Sequence, residues 1–62
     1  MSFRSARLKA KKSVAEVMKH MNVSDAAVYM WEKGQTMPKG TRLKTLADFY
    51  GCTVDELLSD AD

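Results

Sequence analysis

The sequence has little of what enzymes, metal sites and disulfide-stabilised domains are built from. It contains one cysteine, one histidine and one proline in 62 residues. A lone cysteine, Cys52, excludes an intrachain disulfide, and His20 has no second histidine or cysteine at the spacing that metal ligands need. We therefore expect residues 1–62 to form a single small domain, near the lower size limit for folding without a disulfide or a metal.

Catalytic and membrane signals are also missing. The chain has no nucleophile paired with a base, no paired carboxylates in a predicted pocket and no glycine-rich phosphate loop. It has no signal peptide, lipidation motif or apolar run long enough to cross a bilayer. We expect a cytoplasmic protein that is not an enzyme, needs no cofactor and does not bind membranes.

Charge is unevenly distributed, although the net charge is only +2. All ten lysines and arginines lie within residues 1–54, against four acidic residues, which leaves six positive charges in excess. The other four acids are Asp55, Glu56, Asp60 and Asp62, and residues 59–62 are expected to form an acidic tail. A basic body suits a polyanionic partner, but an ordinary solvated surface explains the same charges equally well.

Apolar residues recur at helical spacing along the chain. Two segments carry them at i, i+3, i+4 and i+7: Val14, Val17, Met18 and Met21, and then Leu43, Leu46, Ala47 and Tyr50. Shorter apolar patterns indicate three further helices. The predicted helices span residues 3–11, 14–21, 25–33, 40–50 and 54–59.

Capping residues agree with these bounds. Ser13 with Glu16 and Thr53 with Glu56 fit the reciprocal capping box, and Ser24 suits the start of the third helix. Glycines at positions 34 and 51 stand where left-handed helix ends are expected, and Pro38 lies in the loop before the fourth helix.

Only Asn22, Val23 and Ser24 separate the second and third helices, so these helices must cross steeply. Asn22 tolerates a positive φ, and Val23 can serve as an apolar wedge in the angle. Val28 and Trp31 are then expected to face inward from the third helix. This pattern predicts a helix-turn-helix.

At this point the chain resembles the phage repressor and Cro helix-turn-helix family. The resemblance extends from Phe3 to Leu58. It is carried by Arg7, Ser13, Glu16, "NVS" at 22–24, Val28, "WEKG" at 31–34, Pro38, Leu43, Leu46, Ala47 and "GCTVDELL" at 51–58.

The resemblance implies an all-α, five-helix, lambda-repressor-like domain whose third helix lies in the major groove while the second crosses the DNA backbone. It implies a sequence-specific transcriptional regulator, most commonly a repressor from a bacterium, phage or prophage, that binds operator double-stranded DNA. A homodimer is expected, formed in solution or only on DNA, with its contact near residues 52–58. No small-molecule ligand is expected.

Three positions depart from the family pattern. Val14 stands where the family usually has a glutamine that contacts DNA, so we expect that contact to be lost. Met18 replaces a favoured alanine where helices two and three approach, which is expected to change their spacing or rotation. Asn22 replaces the turn glycine, the mildest of the three changes.

Helical spacing predicts an outward face on helix three, opposite Val28 and Trp31. Its members are Ser24, Asp25, Ala26, Tyr29, Met30 and Lys33. Ala26 and Met30 can pack on thymine methyl groups, and Asp25 can accept a hydrogen bond from a cytosine amino group. Around the exit of helix three, the residues expected to contact phosphates are Lys33, Thr36, Lys39 and Arg42. The alternative for these is a solvated charge run.

A protein-interaction module is the alternative function, since antitoxins and antirepressors share this fold. The exposed apolar residues Ala26, Tyr29 and Met30 would then bind a protein partner. An apolar interface of that kind should respond little to salt, whereas DNA binding should weaken steeply.

The remaining predictions concern structure. The family resemblance places Arg7 opposite Glu32, so we expect them to pair across helices one and three, with a phosphate contact as the alternative for Arg7. Six residues are assigned to the core: Phe3, Val28, Trp31, Leu43, Leu46 and Tyr50. Cys52 is expected to be a buried thiol and His20 an exposed helix residue.

Overall fold

Residues 2–59 are described by the computed structural model, and they form five α-helices without a strand. The helices are α1 (Phe3–Lys9), α2 (Val14–Met21), α3 (Asp25–Lys33), α4 (Thr41–Tyr50) and α5 (Val54–Leu58). The predicted all-α, five-helix architecture is confirmed. The predicted acidic tail lies outside the described residues, apart from Ser59.

Hydroxyl side chains begin four of the five helices. At α2 the Ser13 hydroxyl accepts from the Glu16 amide at 3.1 Å, and the Glu16 carboxylate accepts from the Ser13 amide at 3.0 Å. Thr53 and Glu56 repeat this arrangement at α5. Both predicted capping boxes are confirmed, and the Ser24 hydroxyl caps α3 as predicted. Ser2 with Ser5 forms a third box at α1. This box was not predicted, because a serine stands in place of the usual carboxylate.

Three predicted helix ends are wrong by one or two residues. Helix α1 ends at Lys9 and not at residue 11, because Lys11 takes a left-handed backbone conformation with φ of 59°. Helix α4 begins at Thr41, since Gly40 is its N-cap. Helix α5 ends at Leu58, where Ser59 becomes extended.

Every helix contributes to one hydrophobic core. The buried residues are Ala6, Val17, Met21, Val28, Trp31, Leu46, Ala47, Tyr50 and Leu57. Phe3 and Leu43 were predicted to be core residues, but they are only partly buried and pack against the core. The Cys52 thiol was predicted to be buried and is likewise only partly buried. Burial also raises the pKa of the Tyr50 hydroxyl to about 12, so this group stays neutral inside the fold.

An aromatic stack joins α2 to α4 at the surface. The rings of His20 and Phe49 lie 4.0 Å apart at an angle of 12°. The Lys12 ammonium lies 4.7 Å from the centre of the Phe49 ring, a cation–π geometry. His20 is exposed as predicted, but it also stabilises the packing of α2 against α4.

Candidate nucleic-acid interface

The connection between α2 and α3 has the geometry of a tight left-handed turn. Asn22 adopts φ 57° and ψ 51°, and both its amide and that of Val23 donate to the Met18 carbonyl. Val23 is partly buried and packs against the core. The prediction that Asn22 turns the chain and Val23 fills the angle is confirmed, and α3 is held against α2 by this short connection.

Helix α3 has one buried and one exposed face. Val28 is fully buried and Trp31 is 7% exposed. The predicted outward residues are all exposed: Ser24, Asp25, Ala26, Tyr29, Met30 and Lys33. Tyr29 and Met30 are large apolar groups with 47% and 37% of their surface accessible. The structure thus brings these six residues together on one face, whereas their contact with DNA stays a prediction.

Two of these residues are engaged by the start of their own helix. The Ser24 hydroxyl accepts from the Ala27 amide at 3.2 Å, and Asp25 Oδ1 accepts from the Ala26 amide at 2.8 Å. Carboxylates near a helix N-terminus are also stabilised by the helix dipole. Asp25 therefore offers an external donor mainly its second oxygen.

The loop after α3 carries the other predicted contacts. Gly34 ends the helix with a left-handed φ of 80°, and the amides of Gln35 and Thr36 donate to the Met30 carbonyl. Pro38 is buried and fixes the loop against the domain. Three predicted phosphate ligands on this side, Thr36, Lys39 and Arg42, are all exposed.

An ion pair fixes α3 against α1. Arg7 Nε lies 2.7 Å from Glu32 Oε2, and Arg7 Nη1 donates to the Lys12 carbonyl at 3.1 Å. The hydrogen bond to Glu32 raises the pKa of the Arg7 guanidinium. The predicted pairing of Arg7 with Glu32 is confirmed, and it leaves this arginine little freedom to bind a phosphate.

Comparison with known families decides the assignment. The helix-turn-helix family model matches residues 3–57, from the first residue of α1 into α5. The chain belongs to the helix-turn-helix family. Neither the curated proteins nor the solved structures yield a match.

Family membership agrees with the resemblance to phage repressors and Cro, and it supports a DNA-binding regulator. Within residues 2–59, no helix combines the length and the apolar character that a bilayer crossing requires. No group of three or more potential metal ligands occurs in the same part of the chain.

The three positions that depart from the family pattern all belong to α2 or its C-cap. Val14 begins α2 and is partly buried against the core, so its side chain is a packing group as well as a missing donor. Met18 is also partly buried and packs against the core beside the α2–α3 turn. Asn22 takes the left-handed conformation that glycine would otherwise supply.

One basic residue beside the candidate interface is not among the contacts predicted from the sequence. Arg4 of α1 lines a cleft together with Tyr29 and Lys33 of α3. Arg4 is far from the helix-turn-helix in sequence. Its proximity to Tyr29 and Lys33 depends on how α1 crosses α3, which the sequence does not indicate.

Proposed function

We propose that the protein is a bacterial, phage or mobile-element transcriptional regulator, acting as a repressor, that binds operator DNA in the cytoplasm with α3 in the major groove. The observation that carries this proposal is the two-faced α3. Its inner face is locked by buried Val28 and Trp31, while its outer face is exposed and follows a tight turn from α2. A helix held in this way can project its outer side chains into the groove while α2 crosses the backbone.

The outer face supports readout of thymine. It has no arginine, asparagine or glutamine, the residues that most often form paired hydrogen bonds with guanine or adenine. Ala26 and the exposed part of Met30 supply apolar surface that fits thymine methyl groups. We infer an operator half-site whose central contacts include at least one thymine, with further selectivity from DNA shape.

Phosphate contacts would hold this helix in register. Lys33 ends α3, Lys39 and Arg42 flank the start of α4, and Thr36 lies between them in the chain. All four are exposed, so they can approach the backbone without disturbing the core. Such contacts set position and affinity and carry no sequence information by themselves.

A homodimer is part of the proposal, because one α3 contacts too few base pairs to define a site. We place the contact at residues 52–58, where Leu58 is 40% exposed. The half-sites would then lie about one helical turn, roughly 34 Å, apart. Sedimentation with and without a palindromic duplex tests this assembly. Two protomers per duplex are expected, and a strict one-to-one complex contradicts the dimer.

Selection of bound sequences from a pool of random duplex DNA tests the proposed function itself. The expected result is a two-fold symmetric consensus containing thymine in each half. The selected duplex should bind more tightly than a scrambled duplex of equal composition. Recovery of random sequence, with no preference over the scrambled duplex, contradicts sequence-specific binding.

A protein-interaction module is the second candidate, and the exposure of the neighbouring Tyr29 and Met30 favours it. In that role the same α3 face would pack on an apolar partner surface, as in antitoxins and antirepressors. Salt separates the two functions, because only DNA binding releases counterions and weakens steeply as salt rises.

A further inference from the structure

A cleft of about 350 Å³ opens between α1, the start of α2 and the outer side of α3. Its walls are Arg4, Arg7, Val14, Tyr29, Glu32 and Lys33. Tyr29 and Lys33 are four residues apart on the exposed face of α3, so the cleft borders the surface proposed to enter the groove.

The charge in this cleft is positive. Arg7 and Glu32 pair with each other and cancel within the cleft. Arg4 and Lys33 are both exposed, and neither forms an ion pair with another residue of the part of the chain that the structure describes. The cleft is therefore lined by two cations without an ion-pair partner among the described residues, Arg4 from α1 and Lys33 from α3.

The cleft also offers a neutral donor and an apolar floor. Tyr29 is 47% exposed, so its hydroxyl can donate to a group outside the protein. Val14, the first residue of α2, lines the cleft with a side chain that has no hydrogen-bonding atom. An anion bound here would meet donors from α1 and α3, but none from the side chain of Val14 on α2.

We propose that this cleft binds one backbone phosphate of the operator, with Arg4, Tyr29 and Lys33 as its donors. The proposal rests on the DNA-binding function proposed above and adds a site to it. Arg4 supplies the contact that Val14 cannot make. Tyr29 binds this phosphate through its hydroxyl, which leaves the reading of bases to Ala26 and Met30.

The test combines single phosphate neutralisation with single charge removal. Each phosphate of the selected duplex is replaced in turn by an uncharged methylphosphonate, and binding by the wild type and by Arg4→Gln is measured. One position should cost the wild type about tenfold in affinity, the usual effect of a charge-assisted hydrogen bond, and cost Arg4→Gln little. Lys33→Gln should lose sensitivity at the same position.

Lys9→Gln is the matched control. Lys9 lies on the same helix as Arg4 but lines a different cavity, beside Gly51 and Cys52. Arg4→Gln should reduce the slope of log affinity against log salt by about 1 for each protomer, which is about 2 for the proposed dimer, and Lys9→Gln should leave it unchanged. Arg4→Lys should retain most of the slope, since it keeps the charge. Tyr29→Phe should weaken all duplexes by about threefold without changing sequence preference.

Two failures are distinguishable. If the wild type binds the selected duplex but Arg4→Gln behaves like Lys9→Gln, or stays sensitive to every methylphosphonate that affects the wild type, the phosphate cleft is wrong and the DNA-binding function stands. If the wild type binds no duplex, the proposed function fails and the cleft fails with it. Thermal unfolding of each variant confirms that the comparison is made between folded proteins.

Discussion

Arg7 on α1 and Glu32 on α3 form a two-pronged ion pair. Arg7 Nε donates to Glu32 Oε2 at 2.7 Å, and Nη2 donates to Oε1 at 3.4 Å. Only 11% and 9% of the two side chains remain exposed. The third guanidinium nitrogen donates to the Lys12 carbonyl, so one side chain connects α1, α3 and the turn before α2. The orientation of the proposed reading helix depends on this contact.

Removing Arg7 should destabilise the fold strongly. Arg7→Met leaves the Glu32 carboxylate largely buried and unpaired, which costs about 3–5 kcal/mol in comparable pairs. The urea midpoint should fall accordingly. An unchanged midpoint would show that the pair contributes little to stability.

Two further variants serve as controls for the Arg7→Met unfolding measurement. Lys44→Met breaks the exposed pair with Asp48, whose side chains are 73% and 65% accessible, and should change stability by less than about 1 kcal/mol. Arg7→Met combined with Glu32→Leu removes both charges and should recover much of the loss, because no unpaired charge remains.

The capping carboxylates predict how stability depends on pH. Hydrogen bonds from the Ser13 amide and hydroxyl hold the pKa of Glu16 below its ordinary value of 4.5, and those from Thr53 do the same for Glu56. A pKa lowered by folding adds stability above the unfolded pKa, and that stability is lost as the pH falls through the folded pKa. Urea unfolding at pH 6 and pH 3 should therefore show an acid-induced loss.

Glu16→Gln with Glu56→Gln should reduce that loss, because glutamine keeps the capping hydrogen bond without the ionisation. Ser13→Ala and Thr53→Ala remove the hydroxyl partners and should lower stability even at pH 6. An acid response that is the same in the double glutamine variant and the wild type would rule out the capping carboxylates as its source.

Local capping residues predict most helix ends correctly. Helices α2 and α3 have the predicted bounds because serine, asparagine and glycine caps mark them. The end of α1 was missed because Lys11, a residue without special turn preference, takes the left-handed conformation. Its conformation follows from the fold around it and not from its own side chain.

Long-range contacts were harder to predict than helices. The Arg7–Glu32 pair was expected only through the family resemblance, whereas spacing alone left Arg7 free for a phosphate. The stack of His20 on Phe49 and the approach of Arg4 to Tyr29 depend on helix crossing angles, which no periodicity in the sequence specifies. The exposed face of α3 was predictable because burial of Val28 and Trp31 determines it.

Restoring a donor at the start of α2 should change affinity without changing specificity. Val14→Gln adds one hydrogen bond toward the backbone and should tighten binding to all duplexes by about 0.5–1.5 kcal/mol. Because Val14 also packs partly buried against the core, the variant should be less stable in urea. Weaker binding at unchanged stability would contradict a backbone contact at this position.

Thymine methyl readout predicts sensitivity to uracil. Replacing the thymine read by α3 removes only a methyl group and should weaken wild-type binding by roughly 1 kcal/mol. Ala26→Gly, Met30→Gly or the double variant should not distinguish the two duplexes. The comparison is made within each variant, so the helix destabilisation that glycine causes cancels. If uracil at every thymine position has no effect on the wild type, the α3 face does not read methyl groups.

Salt dependence of binding to the selected duplex tests the central claim most directly, because it separates a DNA-binding α3 from a protein-binding one. Arg4 and Lys33 would together neutralise one phosphate, and Lys39 and Arg42 one each. Three phosphates per protomer, or six per dimer, give a slope of log affinity against log salt of about −5. The predicted result is a slope near that value for the selected duplex. The scrambled duplex should give a similar slope with a lower affinity at each salt concentration. A slope near zero would contradict the account and favour the apolar protein interface.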